Sequence, residues 1–265
     1  MGLNHIYKVI WSKTKNAWVV VSEIAKRDGK SSVKSVVTSL AGKSVAAVMV
    51  AMVMCGGVAS ANTVYGTGAT TGTSNYSVAI GDSAQAVKNQ STAMGVGSIA
   101  NGERSVAIGN NANAKNDDST VIGVGSDAAD NAFAGGSGVH ASRYSVAIGS
   151  NVSMHSFGRA VGIGYDVYTD HDGVAIGYKT KAAASSVVIG DQATDSGGSS
   201  VVIGKSAIAN YSQGVAVGDN SRSLLGGTAL GSGAWSDSYN TVAINGHAVG
   251  DNSVAIGHSA DTKYE

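Results

Sequence analysis

Four copies of one five-residue word, Ser-Val-Ala-Ile-Gly, stand at residues 77–81, 105–109, 145–149 and 253–257. Looser copies run from Gly173 to Gly177, Ser186 to Gly190, Ser200 to Gly204 and Gly214 to Gly218, and weaker ones end at Gly95, Gly123, Gly135, Gly162, Gly231 and Asn245. Inside each word large apolar and small residues alternate, which is the period-two pattern of a strand with two unlike faces. The large positions are β-branched, as pleated strands favour. Word ends recur every 12 to 15 residues, so the chain is a repeat protein with a period near 14.

Such a period accommodates two short strands and two tight turns. Asn, Asp, Ser and Gly fill the spaces between words, as in Gly81-Asp82-Ser83 and Gly109-Asn110-Asn111, and each is a turn former. A second, weaker strand follows each word, for example Ser83-Ala84-Gln85-Ala86-Val87 and Ser206-Ala207-Ile208-Ala209, and its alanines predict a narrow interior. The expected fold is therefore all-β: a parallel β-roll of about 14 coils, spaced about 4.8 Å apart and on the order of 65 Å long. We assign Val78, Ile80, Val106, Ile108, Val146, Ile148, Val174, Ile176, Val254 and Ile256 to the interior. The Ser-x-Ala-x-Gly side then forms a flat face for a neighbouring roll; the opposite polarity, which would also bury Val and Ile, is the alternative.

Composition supports many thin coils over one thick core. The 265 residues include 37 glycines and no proline, and aromatics make up only 6%. A thin roll buries little surface, so association is expected. The formal charge is zero, yet residues 1–61 carry eight Lys and Arg against Glu23 and Asp28, which leaves the repeats mildly acidic. That excludes the concentrated basic face that nucleic-acid binding needs. The single cysteine, Cys55, lies before the repeats, so they contain neither a disulfide nor a thiolate metal site.

The first 61 residues read as an export signal. Within residues 34–61, a basic lead from Lys34 to Lys43 precedes the apolar run Val45 to Cys55 and the small residues Ala59-Ser60-Ala61. Cleavage between Ala61 and Asn62 is expected, and the segment is expected to be partly helical. Upstream of it, Asn4-His5-Ile6-Tyr7-Lys8-Val9-Ile10-Trp11, then Trp18-Val19-Val20-Val21, then Lys26-Arg27-Asp28-Gly29-Lys30 form a second block. This block is similar to the extended signal peptide region of large autotransporters of Gram-negative bacteria.

The repeated word, with Asn or Asp before several copies, resembles the YadA-like head repeat of trimeric autotransporter adhesins over about residues 75–260. The resemblance implies a left-handed winding, three intertwined chains, a place at the bacterial cell surface or outer membrane, and attachment to host extracellular matrix proteins or cell-surface receptors. Residues 62–74 read as a short lead-in. The family's stalk and membrane-anchoring barrel are not found before the chain stops at 261–265, so a truncated end is expected, with membrane contact only through a missing C-terminal anchor. A non-binding spacer, or a truncated piece with no function of its own, is the alternative.

No enzyme is expected, and no cofactor or metal. A period near 14 excludes the hexapeptide β-helix acyltransferases, and no ranks of Thr-x-Thr suggest ice binding. His247, His258 and Asp251 could line up on adjacent coils, but read better as turn residues in water, as does Asp170-His171-Asp172. The Gly-x-Gly pieces at 95–97, 123–125 and 162–164 lack the strand-to-helix context of a phosphate loop. Asp117-Asp118 lacks the calcium-binding nonapeptide around it, and the sequons at Asn75, Asn89, Asn151 and Asn210 mark exposed turns. The rare large side chains gather between 157 and 178. Phe157, Tyr165, Tyr168 and Tyr178 are therefore the candidate ligand surface, since binding surfaces concentrate their energy in aromatic anchors; structural packing at the corners of the roll is the alternative.

Overall fold

The computed structural model describes residues 7–12, 17–22, 62–155 and 158–262. The chain divides into two units, Met1–Val58 and Ala59–Glu265.

In the first unit, the strands Tyr7–Ser12 and Ala17–Ser22 pair antiparallel, with Trp11 opposite Trp18. Their rings meet edge to face at 5.4 Å. A partly helical leader was expected. The described residues are strands, because Val9-Ile10-Trp11 and Trp18-Val19-Val20-Val21 are β-branched and aromatic throughout, and the expected helical part is not among them. The segment 34–61, including Ala61, lies outside the described residues.

The second unit is a parallel β-solenoid of about 14 turns. Two columns of strands run along it. The word column contains Val78–Ile80, Val106–Ile108, Val201–Ile203 and their equivalents, each hydrogen-bonded in parallel to the word before and after. The second column consists mostly of two-residue strands such as Gln85–Ala86, Asn113–Ala114 and Ile208–Ala209. Word copies stack residue on residue, Val174 on Val187 on Val201 and Ile176 on Ile189 on Ile203.

Register corrects two word ends. Phe133, Ala134, Gly135 and Gly136 stack on Val146, Ala147, Ile148 and Gly149, so that word closes at Gly136 and not Gly135. Likewise Gly162 stacks on Ala175 and Gly164 on Gly177, so the next word but one closes at Gly164. Residues 62–74 are more than a lead-in. Thr63–Tyr65 pairs in parallel with Val78–Ile80, and Asn62 Oδ1 accepts the amide of Ser77 at 3.0 Å, so this segment is itself the first turn.

The largest correction concerns the interior. The middle alanines of the words, Ala79, Ala107, Ala147, Ala175 and Ala255, are buried, whereas Val78, Ile80, Val106, Ile108, Val146, Ile148, Val174, Ile176, Val254 and Ile256 face outward and are partly or largely exposed. The word's leading serine also turns inward: Ser77, Ser91 and Ser105 are fully buried, and Ser105 Oγ donates to the Gly102 carbonyl at 2.7 Å. The reason is width. Each turn sets two short strands face to face, and the alanines of both columns, such as Ala79 against Ala84 and Ala86, fill the gap between them. Valine enters at a minority of places, Val121, Val139, Val152, Val167, Val188 and Val202. Two facing layers of Val and Ile would overfill a space sized for methyl groups.

Corners complete each turn. One left-handed residue precedes most words, as at Tyr76, Gln90, Arg104 and Tyr144, and another follows the word glycine, as at Ser83, Asn111, Ser206 and Asn220. Each non-glycine left-handed residue costs roughly 1–2 kcal/mol, and the cross-turn hydrogen bonds of the corner hold it there. Asn111 N, for instance, donates to the Val96 carbonyl at 2.9 Å. The word glycines form a bare column. At Gly149, with φ +138°, a Cβ would stand 1.8 Å from the carbonyl oxygen of Gly164.

Candidate functional site

The outward side of the word column is one continuous apolar stripe. Ile80, Met94, Ile108 and Ile122 follow one another on successive rungs, as do Ile148, Ile163, Ile176, Ile189, Ile203, Val217, Leu230, Ile244 and Ile256 farther along. Beside them runs a parallel row of Val, with Thr92, Thr120, Phe133 and Thr228 among it. Where Gly135 takes the place of isoleucine, the Phe133 ring lies over it, so the stripe has no gap. Met94, Ile108, Ile148, Ile189 and Ile203 are about two-fifths exposed in the single chain, Ile256 is 64% exposed, and Ile80, Ile163, Ile176, Val217, Leu230 and Ile244 are half-buried.

The second column points one residue per turn outward, and these differ at every step: Gln85, Ile99, Asn113, Asp127, His140, Ser153, Tyr168, Lys181, Thr194, Ile208, Arg222, Trp235, His247 and Asp261. Neighbours interact along the row. Asp127 Oδ2 takes Lys115 Nζ at 2.8 Å and His140 Nδ1 at 3.0 Å. The Arg222 guanidinium lies 5.9 Å from the Trp235 ring, and His247 meets that ring edge-on at 5.2 Å.

Of the candidate aromatic surface, three residues fall in described positions and Phe157 lies outside them. The strand Val161–Thr169 passes unbroken from the word column into the second column, which puts Tyr165 on the corner and Tyr168 on the second column. Tyr165 stacks on Tyr178 of the next turn at 5.4 Å and 13°, with Lys179 Nζ 5.3 Å from the Tyr178 ring. Tyr168 lies 6.2 Å from the His155 ring and 5.8 Å from Lys181 Nζ. Each tyrosine is thus held by a neighbour one turn away and keeps an exposed or half-exposed ring.

The polar candidates are structural. His171 Nδ1 bonds Asp170 Oδ1 at 3.1 Å, while Asp172 Oδ1 accepts the Arg159 amide at 3.2 Å, which makes Asp170-His171-Asp172 a tied corner. His247 bonds Asp237, His258 bonds Ser259, and Asp251 accepts Ser238 Oγ and the Tyr239 amide at a different corner, so these three do not converge. No group of three His, Cys, Asp or Glu among the described residues is placed to hold a metal ion. Asp117 and Asp118 pin neighbouring turns. Arg104 donates twice to Asp118, at 2.6 and 2.7 Å, and this fork holds the Asp118 carboxyl below the ordinary aspartate range. Asp117 lies below it too, chiefly through the hydrogen bond from the Glu103 amide and then that from Lys88.

Residues 4–52 match the family model described as the extended signal peptide of the type V secretion system. The YadA head domain repeat matches at residues 73–98, 100–126 and 247–261, and the ladder of turns runs on between the second and third of these. No curated protein matches the chain. The two family matches, with the observed solenoid, show a trimeric autotransporter adhesin-like protein and indicate a passenger region exported to the Gram-negative cell surface. Heads of this family are in general non-enzymatic, form trimers and bind host matrix.

Proposed function

We propose that the chain is the head of a surface adhesin that works as a homotrimer of left-handed rolls and attaches its cell to host matrix proteins or cell-surface receptors. The observation that carries the reading is the apolar stripe. Soluble monomers rarely leave a contiguous apolar patch of more than a few hundred Å² in water, and this one follows the word column from end to end. Its residues are mostly Val and Ile from turn to turn, as suits a partner built on the same repeat. Packing three copies through Val and Ile gives each thin roll the buried area that its alanine interior does not.

Host contacts then fall on the varied remainder of the surface. Tyr165, Tyr168 and Tyr178 supply preorganised aromatic anchors there, each braced by a ring or an ammonium from an adjacent turn. Sedimentation of the full chain, together with its binding to immobilised collagen, fibronectin and laminin, tests the reading. A trimer that binds at least one of them, with binding weakened by joint Tyr165→Ala and Tyr178→Ala changes, is the expected result. A trimer that binds no matrix or cell would favour a spacer, and a stable monomer would remove the interface.

A further inference from the structure

One turn is built differently from every other. From the fourth word position to the outward residue of the second column takes five residues at Ile108 to Asn113, at Ile203 to Ile208 and at Ile256 to Asp261. From Ile244 to His247 it takes three. The missing pair is the outer part of the corner: Asn245, at φ +51°, goes straight into Gly246 and the second column. The turns on either side keep full corners, Gly231-Ser232-Gly233 below and Gly257-His258-Ser259 above. Between them the shortened turn leaves a notch of about 410 Å³.

Loss of the corner also removes a rung. In regular turns the left-handed corner amide donates to the carbonyl of the turn before, as Asn220 N does to Lys205 O and Gly233 N to Asp219 O. In the notch turn no such residue exists. The Ser232 carbonyl on one lip and the Ser259 amide on the other have no partner in the backbone ladder. The notch therefore presents one acceptor and one donor on turns two strand spacings apart; a closed rung spans about 2.9 Å between such atoms at one spacing, so these two stand roughly 7–8 Å apart.

Trp235 forms a wall of the notch and is 41% exposed. Its indole is fixed in place, with the Arg222 guanidinium 5.9 Å from the ring centre and the His247 ring perpendicular to it at 5.2 Å, and His247 Nε2 is itself bonded to Asp237 at 2.9 Å. The flanking charges select by exclusion. Arg222 already occupies the ring's attraction for cations, and the exposed Asp261 on the rim opposes anions. What fits is a neutral group with an apolar face for the indole and hydroxyls that both donate and accept.

We propose that this notch binds a neutral pyranose ring, with the sugar's C–H face on Trp235 and its hydroxyls bridging the Ser232 carbonyl and the Ser259 amide. Asn245 and His258 line the same notch and add side-chain polar groups. The proposal names a ligand class for the adhesive head and rests on that reading for its biological use.

The test uses the full chain and methyl β-D-glucopyranoside, methyl β-D-galactopyranoside and N-acetylglucosamine as probes, followed by the indole N–H resonance of Trp235. That resonance is assigned with Trp235→Phe. At least one glycoside is expected to shift it with a millimolar Kd. Inserting Gly-Asp between Ile244 and Asn245 restores the five-residue corner and fills the notch, while leaving Trp235 in place. That insertion and Trp235→Ala are each expected to weaken binding about tenfold or more, equivalent to about 1.4 kcal/mol. The insertion is also expected to melt no lower than the parent, because it restores a rung. No shift with any probe, or unchanged affinity in the insertion variant, would overturn the site. Matrix adhesion separates the two readings. A chain that binds glycoside but no matrix or cell keeps the notch and loses the adhesin, and one that adheres without binding any glycoside does the reverse.

Discussion

The two strand columns share one backbone plan and present opposite surfaces. Outward residues of the word column are mostly Val or Ile, turn after turn, whereas the second column shows a new residue type at almost every step, from Lys181 to Trp235. Inside, the difference vanishes: Ala107 from one column and Ala112 and Ala114 from the other are equally buried. The interior therefore favours small residues in both columns, with valine at a minority of places. The two exteriors follow what each meets. A constant surface suits a partner with the same repeat, and a varied one suits water and ligands.

Three adjacent positions of one word sharpen the contrast. Ala147→Glu puts a charge inside the narrow roll with no counter-ion, and is expected to unfold the surrounding turns, at a cost of several kcal/mol. Loss of the β-sheet circular dichroism signal and of the cooperative melt would show it. Gly149→Ala is expected to come next. Its Cβ cannot coexist with the Gly164 carbonyl 1.8 Å away, so the two turns must separate, lowering the melting temperature by several degrees. Ile148→Glu touches neither the interior nor the glycine column. It should leave the fold and its melt largely intact while sedimentation reports the loss of trimers, and an unfolded Ile148→Glu chain would reverse the assignment of faces.

The smallest effect lies on the corners. The Asp118 carboxyl is depressed by Arg104, so the pair stabilises the native turn above the pKa of an unfolded aspartate and loses that contribution as pH falls through the lower folded value. Carboxyl NMR titration should place Asp118 below a free aspartate, and Arg104→Gln should return it toward the ordinary range. The pair is exposed, so the accompanying change in stability is expected to be slight.

Much of this was legible in the residues. The recurring word predicted stacked parallel strands, the alanines of Ser206-Ala207-Ile208-Ala209 predicted a slim interior, and the Asn4 to Lys30 block pointed to autotransporter export. Which face turns inward was not legible from alternation alone, because period two is the same pattern in either phase. A clue did exist within the repeats. The middle word position is confined to Ala, Val and Gly, while its neighbours range from Thr92 to Phe133 and Met94, and only an outward position tolerates such a range of sizes. The notch left a trace as well, in the short spacing from Asn245 to Gly257. Spacing alone did not reveal which corner had been cut, nor that Trp235 stands beside the cut, because that depends on how three successive turns are stacked.

The glycine column also governs how such a molecule can change in length. Backbone lies against backbone there with no room for a side chain, so an addition or deletion survives only if it brings the next glycine back into line. Small changes are absorbed at the corners, which is why turns of 12 to 15 residues coexist, and the roll itself grows or shrinks by whole turns. The length of the roll is in effect counted in steps of about 4.8 Å, and a lineage can lengthen or shorten it without designing a new joint.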